Sequence, residues 1–65
     1  MNQIDTRGFS CPEPVLMTKN ALKKGTPLTV LCEDIPAGNI TRVATKAGYK
    51  VSRKEIEDGF ELTIE

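Results

Sequence analysis

The sequence contains no histidine. That absence excludes a Cys-His nucleophile–base pair and the usual mixed Cys/His zinc sites, both of which need an imidazole. It holds only two cysteines, Cys11 and Cys32, 21 residues apart. Two thiols make no disulfide framework, the spacing is not Cys-x-x-Cys, and a reducing compartment keeps both as free thiols. Aromatic residues amount to one tyrosine and two phenylalanines. With so few rings, an aromatic, basic sheet surface for stacking nucleotide bases is not expected. Nine basic residues balance nine acidic ones, so no strong electrostatic drive toward nucleic acid or an anionic membrane is expected either. The five glycines occur singly and form no phosphate-binding loop. No apolar run approaches the roughly 18 residues of a membrane span. Met1-Asn2-Gln3-Ile4-Asp5 has neither the basic start nor the apolar stretch of a secretory signal, so a cytoplasmic location is expected. Neither a metal nor a cofactor is called for.

What is present is one domain's worth of chain. The 65 residues are read as a single domain over 1–65, one that buries only about 60% of the surface its unfolded chain exposes. A deep, closed substrate cavity has no room here. Residues 2–6 read as a short strand with Ile4 facing the core, and residues 7–10 as a loop. A helix follows over 12–24, with Val15, Thr18 and Leu22 at helical spacing and Gly25 as its stop. Residues 28–33 alternate, placing Leu28, Val30 and Cys32 on one face. Residues 34–36 turn into a second helix that runs to residue 47 on a stripe of Ala37, Ile40, Val43, Ala44 and Ala47, with Gly48 as its cap. Gly38 and Asn39 weaken its first turn and suggest a start after Pro36. Residues 49–56 and 60–64 form a hairpin. A three-residue Glu57-Asp58-Gly59 loop pairing Ile56 with Phe60 is preferred, because a two-residue Asp58-Gly59 loop sets carboxylates opposite Phe60 and Leu62. Val51 and Ile56 are then out of phase, and a bulge near residues 52–55 is expected.

The order is β-α-β-α-β-β. Right-handed crossovers place both helices on one face. The expected fold class is therefore α/β, a two-layer sandwich with a mixed four-stranded sheet.

The stretch Ser10-Cys11-Pro12-Glu13-Pro14 carries the chemistry. Proline suits the first position of a helix, so Pro12 makes Cys11 the N-cap. Two of the first four helical positions then lack an N–H, and only the Glu13 amide is available to the Cys11 sulfur. The helix dipole favours a thiolate there. Arg7 in the preceding loop adds to that effect and Glu13 opposes it, so a modest lowering of the Cys11 pKa is expected. Ser, Asp or Asn would cap better, which makes a merely structural cysteine the weaker explanation. No base, oxyanion partner or metal ligand accompanies the thiol. Such a cysteine suits a group handed over by another protein, and sulfane sulfur held as Cys–S–SH is a natural cargo.

"IDTRGFSCPEPVLMTKNAL" resembles the signature of the TusA/SirA/YedF family of small sulfur-carrier proteins, with Asp5, Gly8, Cys11, Pro12 and Pro14 at the family's Asp-x-x-Gly-x-x-Cys-Pro-x-Pro positions. The resemblance continues more weakly through "NITRVATKAGYKV". It implies a β-α-β-α-β-β sandwich, and a persulfide on Cys11 taken from a cysteine desulfurase or a rhodanese. The sulfur then passes to an acceptor protein in tRNA thiolation, molybdenum-cofactor enzymes or sulfur oxidation. The segment "EDIPAGNI" is shorter than its counterpart in the tRNA-thiolation carriers. The chain resembles the first domain of the YedF branch, associated with selenium metabolism, about as well.

Around Cys11, the supporting residues are Pro12, Glu13, Pro14, Asp5, Arg7 and Gly8, with Asp5 and Arg7 read as braces of the loop. Phe9, Leu16 and Met17 are either ordinary packing or an apolar contact patch for a donor protein. Lys19, Lys23, Arg42 and Lys46 read as solvated helix faces, with Lys19 and Arg42 also suited to an acidic partner. Cys32 reads as a small core residue. Parallel first strands would bring it to the same sheet edge as Cys11, which leaves open a resolving thiol and a redox protein or sensor using both cysteines. A regulatory or RNA-binding module is the third class, disfavoured by the charge balance and scarce aromatics.

Overall fold

The computed structural model of the chain describes residues 2–10 and 13–65. Among these residues the elements are β1 (Asn2–Asp5), α1 (Glu13–Leu22), β2 (Leu28–Cys32), α2 (Asp34–Lys46), β3 (Val51–Ile56) and β4 (Gly59–Ile64). The strands form one mixed sheet in the order β1-β2-β4-β3. β1 runs parallel to β2, whereas β4 runs antiparallel to both β2 and β3. Both helices lie on one face, giving the two-layer sandwich that the order of elements predicts.

The core follows from period-two alternation meeting helical stripes. Leu28, Val30 and Cys32 of β2 stand opposite Ile64, Leu62 and Phe60 of β4. All of these except the partly buried Phe60 are fully buried, together with Ala37, Ile40 and Ala44 of α2. Each buried Leu or Ile contributes roughly 2 kcal/mol, so these few positions dominate in so short a chain. From α1, Val15, Ala21 and Leu22 pack on this cluster. Pro14 and Thr18 of α1 are buried, and the Thr18 hydroxyl donates to the Pro14 carbonyl at 2.9 Å. That bond lets a polar side chain enter the core without an unpaired group.

Three local expectations are corrected. First, α2 begins at Asp34 rather than after Pro36. Pro36 falls in the first turn, where a missing N–H breaks no intrahelical bond. Second, β3 begins at Val51 rather than at Tyr49. The Tyr49 amide is used by the helix exit: it donates to Ala44 O at 3.0 Å while Gly48 N donates to Thr45 O at 3.1 Å. With Gly48 at φ 96°, this is a Schellman cap.

Third, the hairpin register differs from the expected one. Ile56 pairs with Gly59, Glu55 with Phe60 and Arg53 with Leu62, so the loop is the dipeptide Glu57-Asp58. The pairing runs to Val51↔Ile64 without a bulge, and Ile56 simply faces the side of the sheet away from the helices. The expected register keeps carboxylates off the apolar side by pairing Ile56 with Phe60. β3 is an edge strand, and its inward residues Arg53 and Glu55 remain exposed to water. Arg53 lies over the Phe60 ring, 4.1 Å from its centroid, and its Nη2 is 3.5 Å from Asp34 Oδ1. The apolar stem covers the ring while the charge reaches solvent.

Gly59 has φ 142°, and a Cβ at this position would collide with the carbonyl oxygen of Cys32. The backbone approach at the end of β2 therefore needs a residue without a side chain. Gly59→Ala should destabilise the protein by about 2 kcal/mol or more, since positive φ alone costs roughly 1–2 kcal/mol. Urea unfolding checks this; an unchanged midpoint would contradict the close approach.

Candidate functional site

Parallel pairing sends β1 and β2 out of the sheet at the same edge. There the loop leading to α1 meets the start of α2. Thr6 prolongs the β1 ladder: its amide and its hydroxyl both donate to Leu31 O, at 2.8 and 2.9 Å, and its side chain is buried. Past Thr6, Arg7 folds back on Asp5. Its backbone N and Nε donate to Asp5 Oδ1 and its Nη2 to Oδ2, each at 3.0 Å. The Arg7 hydrogen bonds hold the Asp5 carboxyl below the usual carboxylate range, and Asp5 raises the Arg7 guanidinium in turn. Both groups face solvent, so the pair fixes the loop's shape more than it adds stability.

Gly8 follows at φ 89°, and its amide donates to Glu33 Oε1 at 3.2 Å. Glu33 is the N-cap residue of α2, yet its side chain makes no cap hydrogen bond. Its carboxylate is committed to the opposite loop instead. Beyond Gly8, Phe9 N donates to Thr6 O at 3.3 Å and Glu13 N to Ser10 O at 2.9 Å. The Glu13 amide is thus engaged by Ser10, while the expected contact between this amide and the Cys11 sulfur lies outside the described residues. A turn bond from 13 to 10 satisfies the first orphan amide of α1 internally.

A shallow groove of about 540 Å³ opens between the two loops, lined by Phe9, Ser10, Glu33, Asp34, Ile35 and Pro36. Phe9 and Ile35 are exposed at 48% and 75%. Ile35 belongs to no stripe of α2, and its only sequence signal was an apolar residue in an acidic turn. Leu16 is exposed as well, but neither it nor Met17 lines the groove.

Of the residues singled out from the sequence, the structure gathers Asp5, Arg7 and Gly8 in the braced loop and sets Glu13 and Pro14 in the first turn of α1. Cys11 and Pro12 lie outside the described residues, as do the expectations that they form the N-cap and first helical position. Glu33 was not anticipated. Lys19 and Lys23 flank a second groove of about 310 Å³ between the helices, with Leu22, Val43, Ala47 and Tyr49. Arg42 donates from Nη2 to Asn39 Oδ1 at 2.7 Å.

Cys32 ends β2 on the helix side and is fully buried. Its Sγ lies 3.8 Å from Phe60 O, to which the thiol donates. Burial pushes its pKa from 9.0 up to about 11, with Arg53 opposing and Glu33 reinforcing the rise. At neutral pH it is a protonated thiol without access to solvent.

The family model described as Sulfurtransferase TusA matches residues 2–65. The chain belongs to the TusA sulfurtransferase family. A family relative from Methanocaldococcus jannaschii, named "Putative sulfur carrier protein MJ0990", is 41% identical over 69 aligned positions, covering 98% of this chain and 92% of the relative. The crystal structure of a SirA-like protein from Desulfitobacterium hafniense superposes with a TM-score of 0.89 at 36% identity, covering 98% of this chain and 95% of that one. The TusA-type sandwich is thus shared over nearly the full length. Among the described residues no helix is long and apolar enough to cross a membrane.

Two outcomes are expected for Cys32. Iodoacetamide should leave it unmodified in the native protein and label it once urea unfolds the chain. Cys32→Ala should cost on the order of 1 kcal/mol for a small cavity. The sign of its pH dependence follows from the raised pKa. The folded state keeps its proton longer than the unfolded state, so the contribution is complete below about pH 9 and is lost as pH rises toward about 11. Urea titrations across that range should show a shallower alkaline decline in Cys32→Ala than in the parent.

Proposed function

We propose that the protein is a sulfur carrier, which accepts sulfane sulfur as a persulfide on Cys11 and passes it to an acceptor protein, with residues 1–65 acting as one domain. The observation that carries this reading is the withdrawal of Cys32 into the core, which leaves Cys11 as the thiol for exchange. In the sequence Cys11 directly follows the braced segment that ends at Ser10, and it begins the Cys-Pro-x-Pro stretch. Cys32 is withdrawn into the core as a neutral thiol. Family membership and the relative's name support the same cargo. The buried Cys32 favours a one-thiol carrier over a redox pair using Cys11 and Cys32.

In the loading step the Cys11 thiolate attacks the terminal sulfur of a donor's persulfide. The donor's S–S bond breaks and its own sulfur leaves as a thiolate. Release is the same exchange in reverse sense: an acceptor thiolate takes the outer sulfur and Cys11 departs as thiolate. No electrons are gained or lost overall, and no cofactor enters. A cysteine desulfurase or a rhodanese is a donor of the right chemistry; neither nucleic acid nor membrane is touched. Asp5 and Arg7 hold the loop, Gly8 is tied to α2 through Glu33, and buried Pro14 anchors the first turn of α1. Pro12 restricts the backbone beside the sulfur. The same chemistry would serve selenium, as in the YedF branch, or acceptors in tRNA thiolation and molybdenum-cofactor enzymes.

Incubation with a cysteine desulfurase and cysteine should add about 32 Da, roughly one sulfur, to the intact mass, whereas an internal disulfide would lower it by about 2 Da. Cys11→Ser should retain the fold, since serine caps helices well, and should lose the adduct entirely. Full loading of that variant would refute the assignment to Cys11.

A further inference from the structure

We infer that the groove between Phe9 and Ile35 is the docking surface for the persulfide-bearing donor protein, and that it receives an apolar side chain flanked by Lys or Arg. This rests on the carrier reading above and adds to it the chemistry of the partner's contact surface. Three observations converge. Ile35 is three-quarters exposed, whereas the other isoleucines are buried or half-buried. It takes no part in the core cluster, so the fold does not require an isoleucine there. Phe9 faces the same groove from the other loop, also exposed. Paired exposed apolar side chains in a concave surface are the mark of an interaction site.

Position supplies the second argument. Ser10 lines this groove and is bonded directly to Cys11. A protein that brings its own sulfur into bonding reach of Cys11 comes within about a residue's length of this groove. The loops on either side are held by Gly8–Glu33 and Thr6–Leu31 hydrogen bonds, so the groove is preformed and little ordering is needed on binding.

Charge gives the partner its character. The rim is acidic, with Glu33 and Asp34. Among the described residues, the Glu33 carboxylate accepts one hydrogen bond, from the Gly8 amide at Oε1. Asp34 is paired at 3.5 Å with Arg53 yet keeps 81% of its side chain exposed. Two carboxylates around an apolar floor select a partner with a complementary basic fringe and repel an acidic one.

The test compares a protein donor with a small-molecule donor. The protein donor is a cysteine desulfurase supplied with cysteine. The small molecule is inorganic polysulfide, from which the Cys11 thiolate takes one sulfur as an S–S bond breaks and a shorter polysulfide leaves. Ile35→Ala and Asp34→Asn alter exposed positions and should keep the parental urea midpoint. Loading from limiting desulfurase should slow about tenfold in Ile35→Ala, the loss typical of a truncated interface anchor. Asp34→Asn should slow it less and should weaken its dependence on salt. Both variants should load from polysulfide at the parental rate, and a higher desulfurase concentration should restore their loading.

Parental rates from desulfurase in Ile35→Ala would overturn the proposal. So would loading of the parental protein from polysulfide with none from the desulfurase, or slowing of Ile35→Ala with both donors alike. Failure of the parental protein to load from either donor would instead overturn the carrier reading itself, and this inference with it.

Discussion

The parallel pairing of β1 with β2 is the constraint on which the rest of the structure depends. Two parallel strands leave the sheet at the same edge. Both helices therefore start beside each other, and the loops before them face one another. Thr6 prolongs the pairing by placing two donors on the single carbonyl of Leu31. The short strand β1, with only Ile4 packed on the core, is held by its ladder to β2 and by these bonds. Without them, Phe9 and Ile35 would line no common groove.

Several contacts distant in sequence then hold that edge. The Glu33 carboxylate, which would ordinarily cap its own helix, reaches Gly8 instead. Asp34 reaches Arg53, which in turn lies over Phe60. Gly59 admits the backbone of the hairpin against the Cys32 carbonyl. The first two reach the start of α2 from a loop and from β3, and the third seats the hairpin against the end of β2. A small domain with a thin core gains shape at this edge from polar ties rather than from added apolar area.

The same arrangement sets the chemistry of Cys32. The strand that carries Cys32 is central in the sheet, so its inward side chain is covered by the helices and its thiolate is penalised by burial. Cys32 is thereby given to packing rather than to exchange chemistry.

The amino-acid sequence by itself determined the order of elements, the stripes of both helices, the inward face of β2 and the family signature around Cys11. These are legible because they rest on local periodicity, on the terminal preferences of proline and glycine, and on a short motif. Only the tertiary structure decided the hairpin register, because Arg53 and Glu55 stand on the inner face of an edge strand that the helices cover incompletely. It also decided that Pro36 sits within a helix's first turn, that the Glu13 amide belongs to Ser10, and that Glu33 serves the opposite loop. Ile35 gained its meaning in the same way: nothing in its neighbours along the chain places it opposite Phe9, and only two parallel strands ending at one edge do so.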